Sequence, residues 1–174
     1  QQVLSPAKIV TDMNNSISDN NESNMFVTLI VGILDLETGK LKLCNAGHNP
    51  PILIRPDGQV SFLEFKTQIF VGVIEEFAYT EDETTLEKGS KLFLYTDGVT
   101  EAENTEKELY GDEKLLKTLS DNNTSDVRTT VNGIEDSVAD HVKEAEASDD
   151  LTILLIQYEP GQQTIKHISL WKEK

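Results

Sequence analysis

YTDGVTEAEN (95–104) and SDDLTILLI (148–156) decide how this chain reads. The β-type run 91–96 delivers Asp97 to a turn, and Asp149 and Asp150 stand immediately before a second apolar run, 151–156. Carboxylates held at strand ends by a rigid sheet can converge on a divalent cation, which hard oxygen donors suit. Metal-assisted phosphate chemistry is therefore the first expectation. Taken singly, Asp-Gly is a hairpin signal and Asp-Asp a solvated turn, so the inference rests on the pair.

The 174 residues and 37% apolar content are sufficient for one domain with a real core. A lone cysteine, Cys44, cannot close an internal disulfide, and no Cys/His spacing suits zinc; both favour a reducing cytoplasm. The longest apolar stretch, 25–36, is too short to span a bilayer and is interrupted by Thr28, Gly32 and Asp35, so no membrane segment is expected in this chain. A net charge of −16 and a pI near 4.4 argue against nucleic acid, whose phosphates reward clustered Lys and Arg. The chain starts at Gln1 without an initiator methionine, which suggests that sequence precedes it in a longer parent.

Ser5-Pro6 reads as N-cap and first residue of a helix over 6–18, with Leu4 and Ile9 as a hydrophobic staple and Ile9, Val10, Met13 and Ile17 on one face. The stretch 25–34 is nearly all apolar, the pattern of a central strand covered on both faces. Turns at 37–40 and at Pro56-Asp57-Gly58 predict antiparallel hairpins, and the acid-rich strand 77–86 carries the kind of charge that protects an edge or covers a solvent face. A helical stretch is expected over 109–120. A second helix, capped at Thr124 or Ser125, carries an apolar stripe of Val127, Val131, Ile134, Val138, Val142 and Ala145. Residues 151–158 form the last strand of the domain, and 163–170 is strand-like. Hairpins with helices grouped at the two ends indicate an α+β layered fold.

With CNAGHNPP (44–51) and MFVTLIVGILD (25–35), the two aspartate segments form four blocks in a fixed order. Together they resemble the SpoIIE-like, RsbU-like branch of the PPM family, the bacterial metal-dependent serine/threonine protein phosphatases. The resemblance implies an αββα sandwich, two stacked antiparallel sheets flanked by helices, incomplete at the N-terminus. Residues 1–160 would be the C-terminal portion of the phosphatase domain and 161–174 a tail or the start of a following segment.

In the family, two Mn²⁺ or Mg²⁺ ions roughly 3.5–4 Å apart activate a water that is itself the nucleophile, so no protein side chain is assigned as catalytic. Matched residue by residue, Asp97 and Asp149 correspond to ligands of one ion. Asp150, Gly98 and Glu101 are assigned supporting places around them, Gly98 by letting the backbone turn tightly. Gly47 and His48 are assigned to a structural loop, and Cys44 to packing. His141 and His167 are assigned nothing. The family's bridging aspartate and a metal-holding glycine turn lie in blocks upstream of Ser5 that this chain does not contain, so the chain should hold at most one ion, weakly.

The resemblance further implies dephosphorylation of a phosphoserine or phosphothreonine on a regulatory protein, an anti-anti-sigma (STAS-type) partner. The parent would be cytoplasmic or tethered to a membrane through upstream domains. A catalytically inactive scaffold module on the same fold is the alternative. A Ca²⁺-binding domain fits less well, because no Asp-x-Asp-x-Asp-Gly loop occurs. Loss of neighbouring strands predicts a homodimer.

Overall fold

The computed structural model describes residues 4–19, 21–22, 24–123, 126–145, 150–161 and, as backbone, 167–170. The chain divides into two compact units. One comprises Gln1–Pro50 with Glu64–Leu86, the other Pro51–Leu63 with Glu87–Lys174.

In the first unit, α1 (Pro6–Ser18) starts as the sequence predicts. Ser5 is extended and its Oγ accepts from the Lys8 amide, filling one of the open donors of the first turn. The staple does not form as expected: Leu4 is 68% exposed. A distant residue completes the cap instead. Glu81 accepts from Ser5 Oγ at 2.5 Å and from the Ala7 amide at 3.2 Å, while its other oxygen accepts from Lys42 Nζ at 2.9 Å. The Ser5 hydroxyl first, and then Lys42, hold the Glu81 carboxyl below the usual glutamate range.

A lowered folded pKa gives stability that is present above the unfolded value and lost as pH falls through the folded one. Glu81→Gln is therefore expected to cost about 1 kcal/mol at pH 7 and progressively less as the wild-type carboxylate protonates in acid. Urea unfolding of both proteins at the two pH values checks this.

The buried line of α1 is Pro6, Val10, Asn14 and Ser18, whereas Met13 from the predicted apolar face is 38% exposed. Asn14 is fully buried because it is satisfied: its amide donates to the Ile74 carbonyl and its oxygen accepts from the Gly72 amide, each at 2.9 Å.

The sheet of this unit is built on β2 (Lys40–Ala46), which pairs antiparallel with β1 (Leu29–Leu34) through the predicted turn, where Gly39 has φ 74°. Two expectations are corrected. The apolar run 25–34 yields only the six residues of β1, half-buried rather than covered on both faces and with β2 as its one strand neighbour among the described residues, beside isolated bridges of Leu29 to Gly47 and of Val27 to Val71. The sheet is also not wholly antiparallel, since Asn45 and Ala46 pair in parallel with the short strand Thr67–Gln68. A parallel partner needs a long connection, and the chain supplies one by leaving this unit after Pro50 and returning at Glu64. The acid-rich segment is a strand only over Asp82–Thr85, antiparallel to β2, with Glu83 paired to Lys40 at 2.7 Å. Val10, Cys44, Ala46, Val71 and Tyr79 form the core of this unit.

The second unit holds a five-stranded antiparallel sheet. Numbering on in chain order, with Thr67–Gln68 as β5 and Asp82–Thr85 as β6, these strands are β3 (Ile52–Ile54), β4 (Val60–Phe62), β7 (Lys91–Tyr95), β8 (Thr152–Gln157) and β9 (His167–Leu170), in the order β4-β3-β7-β8-β9. Segment 167–170 thus lies in this sheet beside β8. Helices α2 (Asp112–Asp121) and α3 (Val127–Val142) bury Leu115, Leu119, Val127, Val131, Ile134 and Val138 with Phe93, Ile153 and Leu155 of the sheet in one cluster. Helix α2 starts later than its apolar pattern suggests, because the Tyr110 and Gly111 amides are taken by the Ala102 and Thr100 carbonyls. The cap of α3 is Asp126, accepting from the Thr129 amide at 3.0 Å; the predicted caps Thr124 and Ser125 lie outside the described residues. The stripe ends at Val142, since Lys143 turns out of the helix with φ 53° and Ala145 lies beyond it.

Candidate metal site at the paired strand ends

The antiparallel register sets Tyr95 opposite Ile153 and Leu92 opposite Ile156. One residue past that ladder the two aspartate motifs meet. The Thr96 amide donates to the Thr152 carbonyl at 3.1 Å, the Thr96 hydroxyl donates to the Asp150 carbonyl at 3.1 Å, and the Thr152 amide donates back to Thr96 Oγ1 at 3.0 Å. Thr96 is therefore the pin between the motifs. Its place before Asp97 was the only sequence signal for that role.

The next four residues form a tight turn. The Val99 amide donates to the Thr96 carbonyl at 3.0 Å, the Glu101 amide to the Asp97 carbonyl at 2.8 Å, and the Gly98 amide to Asp97 Oδ1 at 3.1 Å. Gly98 is needed for a reason other than turn conformation: its φ is not in the left-handed region. A Cβ there would lie 2.5 Å from the carbonyl oxygen and 3.0 Å from the carbonyl carbon of Asp150. The two backbones touch at this glycine.

Asp97, Glu101 and Asp150 are exposed, while Gly98, Val99 and Thr100 behind them are buried. Asp149 lies outside the described residues. The structure thus brings the Asp97 turn against the Asp150 backbone and starts Glu101 from that turn. Carboxylate oxygen is the donor type that suits a hard divalent cation. Among the described residues no group of three or more His, Cys, Asp or Glu side chains could hold a metal ion, so the fit concerns part of a ligand shell.

Gly47 and His48 belong to the other unit. Gly47 has φ 76°, and a Cβ on it would lie 2.1 Å from Phe70 Cδ1. The Asn45 side chain closes this loop, accepting from the His48 amide at 2.8 Å and donating to the His48 carbonyl at 2.9 Å. The His48 ring reaches Thr28 Oγ1 at 3.4 Å. Cys44 is fully buried, and burial pushes its thiol up to about 11, which suits packing rather than nucleophilic chemistry.

Comparison with known proteins agrees with this architecture. The Stage II sporulation protein E (SpoIIE) family profile matches residues 1–159. Phosphoserine phosphatase RsbU of Bacillus subtilis is 24% identical over 155 residues, covering 88% of this chain and 45% of RsbU. The chain spans less than half the length of the curated relatives it matches, 24% and 45% for two of them. Among solved structures, the SiaA-PP2C domain of Pseudomonas aeruginosa superposes with a TM-score of 0.77 at 19% identity, covering 89% of this chain and 61% of that one. The catalytic domain of the serine/threonine protein phosphatase PstP, in complex with two manganese ions, superposes with a TM-score of 0.61 at 17% identity, covering 89% and 71%. Two antiparallel-rich sheets with helices, a mixed α+β fold shared with PP2C-type phosphatase domains, and a family match over nearly the whole length show that this chain belongs to the SpoIIE family.

Proposed function

We propose that this chain is the C-terminal part of the catalytic domain of a metal-dependent phosphoserine/phosphothreonine protein phosphatase. The observation that carries the reading is the contact of Gly98 with the Asp150 backbone, pinned by Thr96, which brings the Asp97 turn to the chain that bears Asp149. Asp97 and Asp149 would hold the ion, which fits the manganese in the structural neighbour PstP. Bound Mn²⁺ or Mg²⁺ supplies water activation and charge neutralisation at the phosphoryl oxygens. The chain's own contribution is positional: Gly98 and Thr96 fix where Asp97 stands, and the buried Val99 and Thr100 keep the turn rigid. With those two family-matched ligands alone, the chain holds one ion at most, weakly, and is inactive by itself.

The relative RsbU, a phosphoserine phosphatase, supports phosphoserine as the group attacked, and a phosphorylated regulatory protein, the STAS-type anti-anti-sigma protein, is the substrate and partner we propose. No helix among the described residues is long and apolar enough to cross a membrane. The first unit exposes Met25, Phe26, Phe70, Val73 and Ile74, with the Phe26 and Phe70 rings 5.1 Å apart. That face supports a homodimer of this chain, which a concentration-independent monomer in sedimentation velocity contradicts.

The functional test uses the parent protein and a phosphoserine protein. Hydrolysis is expected to stop on chelation and return with Mn²⁺. Turnover that survives chelation contradicts the metal mechanism, and no turnover under any metal condition favours the inactive scaffold.

A further inference from the structure

Between the Asp97 turn and α2 the chain forms a closed arm, residues 100–111. Its legs pair through the Tyr110 amide to the Ala102 carbonyl and the Gly111 amide to the Thr100 carbonyl, both 2.9 Å, with a further bridge between Glu103 and Leu109. Asn104 organises the tip by accepting from the Glu106 and Glu108 amides at 2.9 and 3.0 Å. The arm therefore holds its own shape. How it is aimed depends on two anchors.

The first anchor is at the base. Tyr110 is buried, and its hydroxyl lies 2.9 Å from Thr118 Oγ1 on α2 and 2.8 Å from Ser137 Oγ on α3. The second is nearer the tip. His141 Nε2 lies 3.0 Å from the Glu108 carbonyl, and its Nδ1 lies 3.0 Å from Lys114 Nζ. Lys114 also stands over the Tyr110 ring, 4.9 Å from its centre, and the His141 ring meets that ring edge-on at 5.5 Å.

The partners fix the chemistry of His141. A carbonyl can only accept, so Nε2 carries the proton, and an ammonium can only donate, so Nδ1 is the acceptor. Only the neutral imidazole of one tautomer makes both bonds. A second proton would remove the acceptor and set a cation against Lys114. The groups facing the ring are Lys114 from α2 and Tyr110 and Glu108 from the arm, with Asp140 and Glu144 its acidic neighbours in sequence.

We propose that His141 is a positioning residue that, while neutral, clasps the arm to α2 and α3 and so aims its tip, where Glu103 is paired with Lys107 and the exposed Glu106 and Glu108 leave an acidic excess beside the exposed Leu109, at a basic and apolar stretch flanking the phosphorylated residue of a protein substrate. A small phosphate ester, which has no flanking chain, does not use the arm. The proposal rests on the phosphatase reading for its substrate part and on the geometry alone for the clasp.

Two variants separate the roles. His141→Gln keeps one donor and one acceptor, and His141→Leu keeps neither. In the parent protein, kcat/KM for a phosphoserine protein is expected to fall about fivefold in His141→Leu, mostly through KM. His141→Gln is expected to stay near the wild type on the phosphoserine protein, because it keeps one donor and one acceptor. Activity on p-nitrophenyl phosphate should stay within about twofold in all three. Unchanged phosphoprotein kinetics in His141→Leu, or equal losses on both substrates, overturn the proposal.

Amide hydrogen exchange on the present chain reads the clasp without reference to activity. Exchange at 102–110 should quicken about fivefold in His141→Leu, with α3 unchanged. A parent without phosphatase activity removes the substrate part together with the function, whereas unaltered exchange overturns the clasp itself.

Discussion

Asp97→Asn in the parent protein is expected to lower Mn²⁺-dependent hydrolysis of a phosphoserine protein by about 100-fold or more, equivalent to at least about 2.7 kcal/mol of transition-state stabilisation. Asparagine has the same size, and its oxygen can still accept from the Gly98 amide, the bond that Asp97 Oδ1 makes at 3.1 Å. The turn should therefore survive while the ligand charge is lost. Asp149→Asn should act similarly. Asp150→Asn should do much less, because the contacts with Thr96 and Gly98 are made by the Asp150 backbone and not by its carboxylate. Steady-state kinetics across a Mn²⁺ series, with circular dichroism to verify folding, decides this. Near-normal turnover in Asp97→Asn or Asp149→Asn contradicts the ligand assignment.

Gly98→Ala should be the most damaging single methyl in the second unit. The added carbon would lie 2.5 Å from the Asp150 carbonyl oxygen, 3.0 Å from its carbon and 3.5 Å from Leu151 Cα. All three are backbone atoms that no rotamer change can move, so the strand ends must separate. A cost of about 3 kcal/mol is expected, equivalent to a fall of roughly 10 °C in Tm for a chain of this size. Gly58→Ala is the control. Gly58 has φ 91° with nothing within 4 Å of a new Cβ, leaving only backbone strain of about 1–2 kcal/mol. Equal losses in the two variants, measured by thermal melting, would show that the close approach at Gly98 carries no special cost.

What the sequence disclosed and what it withheld divide along physical lines. Local signals were legible: Ser5-Pro6 starts α1, Gly39 and Gly58 turn the hairpins at φ 74° and 91°, and Asp97 follows β7 directly. The αββα expectation is met at the level of an α+β fold with two sheets and helices. Features that depend on distant partners were not legible. The apolar run 25–34 looked fully covered but is a half-buried edge, because burial depends on neighbours that one strand's composition does not specify. The parallel pairing of β5 with β2 depends on the route the chain takes between them.

The same holds for the site. Asp97 was found from its turn, but the close approach that demands glycine at 98 becomes visible only when the Asp150 backbone is beside it. Glu81, sixty or more residues from α1, caps that helix in place of the predicted staple. His141 gained no role from its surroundings on α3, since its two partners come from the arm and from α2.

On the proposed function, the Asp97 turn and the chain beginning at Asp149 form one side of a divalent-metal site. Paramagnetic broadening in a ¹⁵N-resolved NMR titration of this chain with Mn²⁺ tests it without requiring turnover. The amides of Asp97, Gly98, Asp150 and Leu151 are expected to lose intensity first, at weak, single-site affinity, and Asp97→Asn to abolish the effect. Broadening centred elsewhere on this acidic surface, or an unchanged pattern in Asp97→Asn, would contradict it.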